Sequence, residues 1–126
     1  MNRKQFIQSV GADCDNWTWT WSFVNHKAKI VIFGTWQEFE SLDPGLILSK
    51  SWVTSKKGRK QPGYGQSVQH ISLVHDNQYK PYTYTMIADE ISRADTVAPA
   101  RIRKFIPELT LRKLITRPDG WYAGKQ

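Results

Sequence analysis

Cysteine is almost missing from this 126-residue chain, where Cys14 stands alone. A disulfide framework and a thiolate metal cluster are both excluded by that count. No apolar run approaches the ~20 residues that a membrane span needs. The first ten residues, Met1 to Val10, carry basic groups but neither an apolar h-region nor a cleavage site, so no secretory signal is read there. Together these absences point to a reducing cytoplasm and away from a membrane.

Catalytic signatures are missing as well. There is no phosphate-binding Gly-x-x-x-x-Gly-Lys-Ser/Thr, no dinucleotide Gly-x-Gly-x-x-Gly after a strand and no Gly-x-Ser-x-Gly elbow. His70 and His75 are five apart, not the four of paired helical metal ligands, and read as ordinary helix residues. Asp89 and Glu90 are adjacent, so a strand would point them to opposite faces. Pro118-Asp119 with Lys125 lacks the second acid of a nuclease centre, and Cys14 with His26 lacks a third orienting group. The sequence points away from catalysis and calls for no cofactor and no metal.

Acidic residues are scarce where the positive charge collects. The net charge is +7. From Lys50 to Lys60 there are Lys50, Lys56, Lys57, Arg59 and Lys60 with no acid, and from Arg101 to Arg117 six basic residues face Glu108 alone. The second run opens with Arg101 and Arg103. Such a balance favours a polyanionic partner, nucleic acid first.

Aromatics are abundant, with six Trp. Trp17 to Phe23 alternates, placing Trp17, Trp19, Trp21 and Phe23 on one face of a strand and Thr18, Thr20 and Ser22 on the other. Asn25-His26-Lys27 makes a turn in which Asn25 is able to take positive φ. A second strand follows, with Ala28, Ile30, Ile32, Gly34 and Trp36 on one face. The stretch predicts a β-hairpin. Its aromatic face is either core or a surface on which something flat stacks, and at least half of the Trp are expected in the core.

Elsewhere the pattern predicts a short helix over residues 2–10 with Gly11 as its stop, an acidic loop over 37–42 closed by Asp43-Pro44-Gly45, and a strand at Leu46–Leu48 that Ser49 to Trp52 could extend. A helix is expected over Gln66–Asn77 with Val68, Ile71, Ser72 and His75 on its stripe. A strand follows at Tyr79–Ile87, then a loop from Ala88 to Pro99. Further strands are expected at Ala100–Ile106, within Leu109–Arg117, and at Trp121–Ala123 after the Pro118-Asp119-Gly120 turn. The expected fold is α+β: a single domain, residues 1–126, built on a small curved antiparallel β-barrel with one or two flanking helices.

Residues 54–65, Thr-Ser-Lys-Lys-Gly-Arg-Lys-Gln-Pro-Gly-Tyr-Gly, hold three glycines and four cations. Glycines let backbone N–H groups approach an anion, and Lys56, Lys57, Arg59 and Lys60 neutralise it. Tyr64 adds a ring able to stack. The amides of Asn25 and Gln61 offer paired donors and acceptors suited to a base edge.

The segments Trp19-Thr-Trp21-Ser-Phe-Val-Asn25, Ile30 to Trp36, Leu46-Ile-Leu-Ser, Gly58-Arg-Lys-Gln-Pro-Gly-Tyr64, His70-Ile-x-Leu-Val and Trp121-Tyr122-Ala resemble the N-terminal head domains of bacterial HNH-type endonucleases that restrict modified DNA. The resemblance implies a reader similar to the PUA superfamily, with its EVE, YTH and SRA domains: a curved β-barrel that accepts a single modified base in an aromatic pocket. By position it implies Trp19, Trp21, Asn25 and Trp36 as pocket residues, and Arg59, Lys60, Gln61 and Tyr64 as loop contacts. No HNH nuclease follows by Gln126, so the chain is expected to be a reader alone, a subunit recruiting a nuclease partner, or an excised domain.

The expected function is therefore a non-catalytic DNA-binding domain that reads a modified base. Trp19, Trp21, Asn25, Trp36 and Tyr64 form its pocket. Lys56, Lys57, Arg59, Lys60, Gln61, Arg101 and Arg103 face the nucleic-acid backbone. Two alternatives stand beside it: an RNA-binding domain of the same shape, and a protein-interaction or phage-defence adaptor module.

Overall fold

The computed structural model describes residues 2–14, 17, 20–37, 44–53, 62–88 and 102–125. Helix α1 spans Arg3–Ser9. Asn2 caps it: its side chain accepts from the Gln5 backbone, and the Gln5 side chain accepts from the Asn2 backbone. Gly11 stops it at φ +78°, with Gly11 N–H on Gln8 and Ala12 N–H on Ile7 closing the last turn.

The hairpin strands are β1, Ser22–Asn25, and β2, Ile30–Trp36. The first is shorter than the alternation predicts. Thr20 Oγ1 donates to the Ser22 carbonyl at 2.6 Å, a local bond that competes with the ladder and breaks the pleat before Ser22. Trp17 and Trp21 consequently lie outside the strand and on opposite sides of the sheet. Trp17 packs on Phe23, their centroids 5.2 Å apart, whereas Trp21 packs with Val24 and Trp52. Positive φ falls at Lys29, 57°, rather than at Asn25. Asn25 acts through its side chain, accepting from Ala28 N–H at 3.0 Å and donating to the Val10 carbonyl at 3.1 Å.

Strand β3, Gly45–Ser49, leads into a 3₁₀ turn, Lys50–Val53, so Ser49 prolongs the strand and Lys50 to Trp52 do not. Helix α2 spans Pro62–Asn77. It starts four residues earlier than the expected Gln66, at a proline whose fixed φ suits a first turn. Strand β4 is Lys80–Ala88 and β5 is Ile102–Leu111. β5 runs through Pro107 as one strand where two were expected, and Pro107 is tolerated because β5 is an edge. β6, Lys113–Arg117, and β7, Gly120–Gly124, complete the chain. The acidic loop over residues 38–43 and the segment 89–101 lie outside the described residues.

The architecture is α+β. The strands form two sheets, one ordered β1-β2-β4-β5 and one ordered β3-β7-β6, and among the described residues no single closed barrel joins them. Nor is the larger sheet wholly antiparallel, because β2 and β4 pair in parallel from Ile30↔Lys80 to Trp36↔Met86. A parallel pair needs a crossover, and the chain between β2 and β4 supplies it with β3 and α2.

Alternation along β2 divides the core between two faces of the larger sheet. Ile32 and Trp36 join Phe6, Ile7, Phe23, Tyr84 and Met86 on the α1 side. Val31 and Phe33 join Val24, Ile47, Leu48, Ile71 and Ala123 on the other side, beneath α2 and the smaller sheet. Burying each such side chain contributes about 1.5–3 kcal/mol. No helix of the described residues is long and apolar enough to cross a membrane.

Burial pushes the Tyr84 hydroxyl up from its ordinary value, with the Arg3 charge opposing. The hydroxyl has no hydrogen bond of ordinary geometry among the described residues. The fold therefore holds this proton after the unfolded chain has released it. Its contribution is complete below about pH 10 and is lost as the pH rises further. Tyr84→Phe is expected to leave urea stability near pH 7 unchanged or raised by up to about 1 kcal/mol, and to flatten the alkaline fall. Glycine substitutions give a second check by the same denaturation. Gly120 faces Ser49 across the smaller sheet, and a Cβ there would strike the Leu48 carbonyl oxygen. Gly120→Ala is expected to cost about 3 kcal/mol. A Cβ at exposed Gly65, inside α2, meets nothing within 4 Å, and Gly65→Ala should add about 0.4–1 kcal/mol.

Candidate nucleic-acid interface

The basic glycine-rich segment, residues 54–61, departs from the 3₁₀ turn and returns at the start of α2. Lys56, Lys57, Arg59, Lys60 and Gln61 lie outside the described residues, as do Trp19 and Arg101. Arg103 belongs to β5, and its side chain is likewise outside what is described. The two ends of the segment are well defined. Lys50 N–H donates to the Asp119 carbonyl at 2.9 Å, tying the 3₁₀ turn to the β6–β7 turn. The N-terminal half of α2 packs on β1.

Four half-buried aromatics gather where these ends meet the core. Trp52, on the 3₁₀ turn, meets Trp21 edge-on at 6.2 Å. Tyr64, in the first turn of α2, lies 6.4 Å from Trp121 of β7. Lys50 Nζ, from the same 3₁₀ turn as Trp52, stands 5.6 Å over the Trp121 ring as a cation–π pair. All four rings pack against the core cluster beneath α2. Trp21 and Tyr64 were expected from the sequence. Trp52 and Trp121 were not, because nothing local to them marks them apart from being Trp.

Two expected pocket residues sit elsewhere. Trp36 is 6% exposed and belongs to the core cluster on the α1 side, the opposite face from Trp21 and Tyr64. Asn25 spends its amide on the turn and on the end of α1. The expectation that half of the Trp are core is also revised. Of those described, Trp36 is buried, while Trp17, Trp21, Trp52 and Trp121 are half-buried.

The buried face of α2 is polar, which the apolar stripe did not foretell. Gln66, Ser67 and His70 are buried, whereas Ser72 and His75 are exposed. Ser22 Oγ, at 0% exposure, lies 2.9 Å from Ser67 Oγ and 2.5 Å from His70 Nδ1. Gln66 Oε1 also accepts from Thr20 Oγ1, whose one proton it shares with the Ser22 carbonyl. These hydroxyls and amides satisfy one another between helix and strand, as buried polar groups must. The spacing of Gln66, Ser67 and His70, at i, i+1 and i+4, was visible in the sequence as a polar helical face, and β1 turns that face inward by offering partners. Among the described residues, no three of His, Cys, Asp and Glu gather to hold a metal. No protein-family profile, curated protein or solved structure matches the chain.

Removing Ser22 Oγ takes a partner from both Ser67 and His70. Ser22→Ala is expected to cost about 1–3 kcal/mol in urea denaturation. Ser51→Ala breaks an exposed 2.8 Å contact with Ser49 and should cost little, within about 0.5 kcal/mol.

Proposed function

We infer that this chain is a non-catalytic DNA-binding domain that reads a modified base, with a fold related to the PUA-like readers. One observation carries the inference: Trp21, Trp52, Tyr64 and Trp121 gather, half-buried, at both ends of a segment holding four cations and no acid. Each half of that arrangement supplies what the other lacks. Lysines and arginines bind phosphate without regard to sequence and give binding its salt dependence. A half-buried ring offers a π-face to an unpaired base, worth about 1–3 kcal/mol by alanine substitution. A base reaches such a ring only when unpaired or flipped from the duplex, and a modification then adds contacts that a plain base lacks.

The test is a binding titration at fixed salt with duplexes that are unmodified, methylated, hydroxymethylated or backbone-modified, with single-stranded RNA as competitor. One modified duplex is expected to bind more tightly than the plain one. Trp21→Ala and Tyr64→Ala should each weaken it by roughly 5- to 150-fold. Equal affinity for every duplex, with both variants binding as the parent does, would sink the reading. Stronger competition by RNA than by DNA would move it to an RNA-binding domain.

A further inference from the structure

Trp121 and Tyr122 are neighbours on β7, and alternation sends their rings to opposite faces of the smaller sheet. Trp121 goes inward with Leu114, onto the core cluster beneath α2. Tyr122 goes outward. It pairs with Leu46 on β3 and Ile115 on β6, and this half-buried row belongs to neither core cluster. Lys113 and Arg117 share the outer face with Ile115, two residues to either side of it, and both are exposed. No strand of this sheet contains an acid. The outer face is therefore a short apolar row with a cation at each end of its edge strand.

One of those cations is already positioned. The Arg117 guanidinium lies 4.9 Å over the Tyr122 ring. The two are diagonal neighbours on the ladder, because Ile115 faces Tyr122 and Arg117 faces Gly120. The Tyr122 hydroxyl donates to Asp119 Oδ2 at 2.7 Å, which fixes the ring. Asp119 is the acid nearest to Arg117 in the chain. Even so, among the described residues the Arg117 side chain has neither an ion pair nor a hydrogen bond. A ring offers a guanidinium no lone pair, so its five N–H donors keep their capacity. They form a fork that matches phosphate bidentately, and a fork already ordered loses less entropy on binding.

Asp119 also joins this pair to the candidate interface. Its carboxylate holds Tyr122, and its carbonyl accepts from Lys50 N–H, in the 3₁₀ turn from which the basic segment departs. We propose that Arg117, set over Tyr122, grips a backbone phosphate of the nucleic acid bound at the basic segment, and that Lys113 takes a further phosphate along the same edge strand. The proposal rests on the nucleic-acid binding inferred above but not on base discrimination. Contacts of this kind add affinity and salt dependence equally for every duplex.

Duplex titrations across a salt series test it. For Arg117→Gln the slope of log affinity against log salt should fall by about 0.9. Affinity near physiological salt should drop about fivefold, by the same factor for plain and modified duplex. Arg117→Lys should keep the slope, and adding Lys113→Gln to Arg117→Gln should bring the fall to about 1.8. Lys4→Gln is the control. Lys4 stands 5.4 Å over the Trp17 ring on the α1 side of the larger sheet, and its loss should leave the slope unchanged. All of these residues are exposed, and every variant should melt with the parent. Arg117→Gln binding with the parent's slope would overturn the proposal and leave the reader function standing. So would an equal fall for Lys4→Gln, which would make the effect one of net charge. An Arg117→Gln protein that fails to fold would make the residue structural and also overturn it. A fall of about 0.9 in a protein whose parent has no preference among duplexes would support this contact and end the base-reading idea. A parent that binds no duplex even at low salt would overturn both.

Discussion

The parallel pairing of β2 with β4 is the constraint on which the other elements depend. It places β2 between β1 and β4 with both edges paired, and its residues from Val31 to Trp36 are buried. One face must then find α1, and the other must find α2 and the smaller sheet. Residues far apart in the chain are committed together: Phe6, Phe105 and Tyr84 meet one another on one side, and Ile47 and Ile71 share a cluster with Phe33 on the other. The crossover that parallel pairing demands also carries the basic segment, since residues 54–61 lie within it.

Helix α2 is held to the sheet by two kinds of force along its length. Towards its C-terminus, Ile71, Leu73 and Val74 contribute apolar area. Towards its N-terminus, the contact is made by Gln66, Ser67 and His70 against Thr20 and Ser22. Apolar burial is non-directional and tolerates sliding, whereas hydrogen bonds fix azimuth and height. The helix is therefore positioned most tightly at the end that bears Tyr64 and receives the basic segment.

Much of the fold was legible in the chain. Asn2 and Gly11 bracket α1 as a capping residue and a positive-φ stop should, and the alternation of Ile30 to Trp36 assigns its faces correctly. Tyr82, Tyr84 and Met86 share a face as their spacing requires. What was not legible depended on partners distant in sequence. The Thr20 hydroxyl ended a strand that composition alone would have continued. A polar face on α2 turned inward because Ser22 was there to meet it. Parallel pairing of β2 with β4 leaves no local mark, and so an antiparallel barrel was the simpler expectation. At the candidate site, Trp21 and Tyr64 were named from the sequence because they stood in an alternating run and beside basic residues. Trp52 and Trp121 became part of the same group only through the backbone tie from Lys50 to Asp119.

That tie gives the two ends of the basic segment different foundations. The 3₁₀ turn is moored to the smaller sheet through Asp119, and the start of α2 is moored to the larger sheet through Ser22. Anything that touched the described residues at both ends, Lys50 to Val53 and the first turns of α2, would therefore contact both layers and act as a clasp across the interior. Its binding free energy would be shared with the resistance of the whole fold to opening, as mass action requires of any ligand that binds only the folded state.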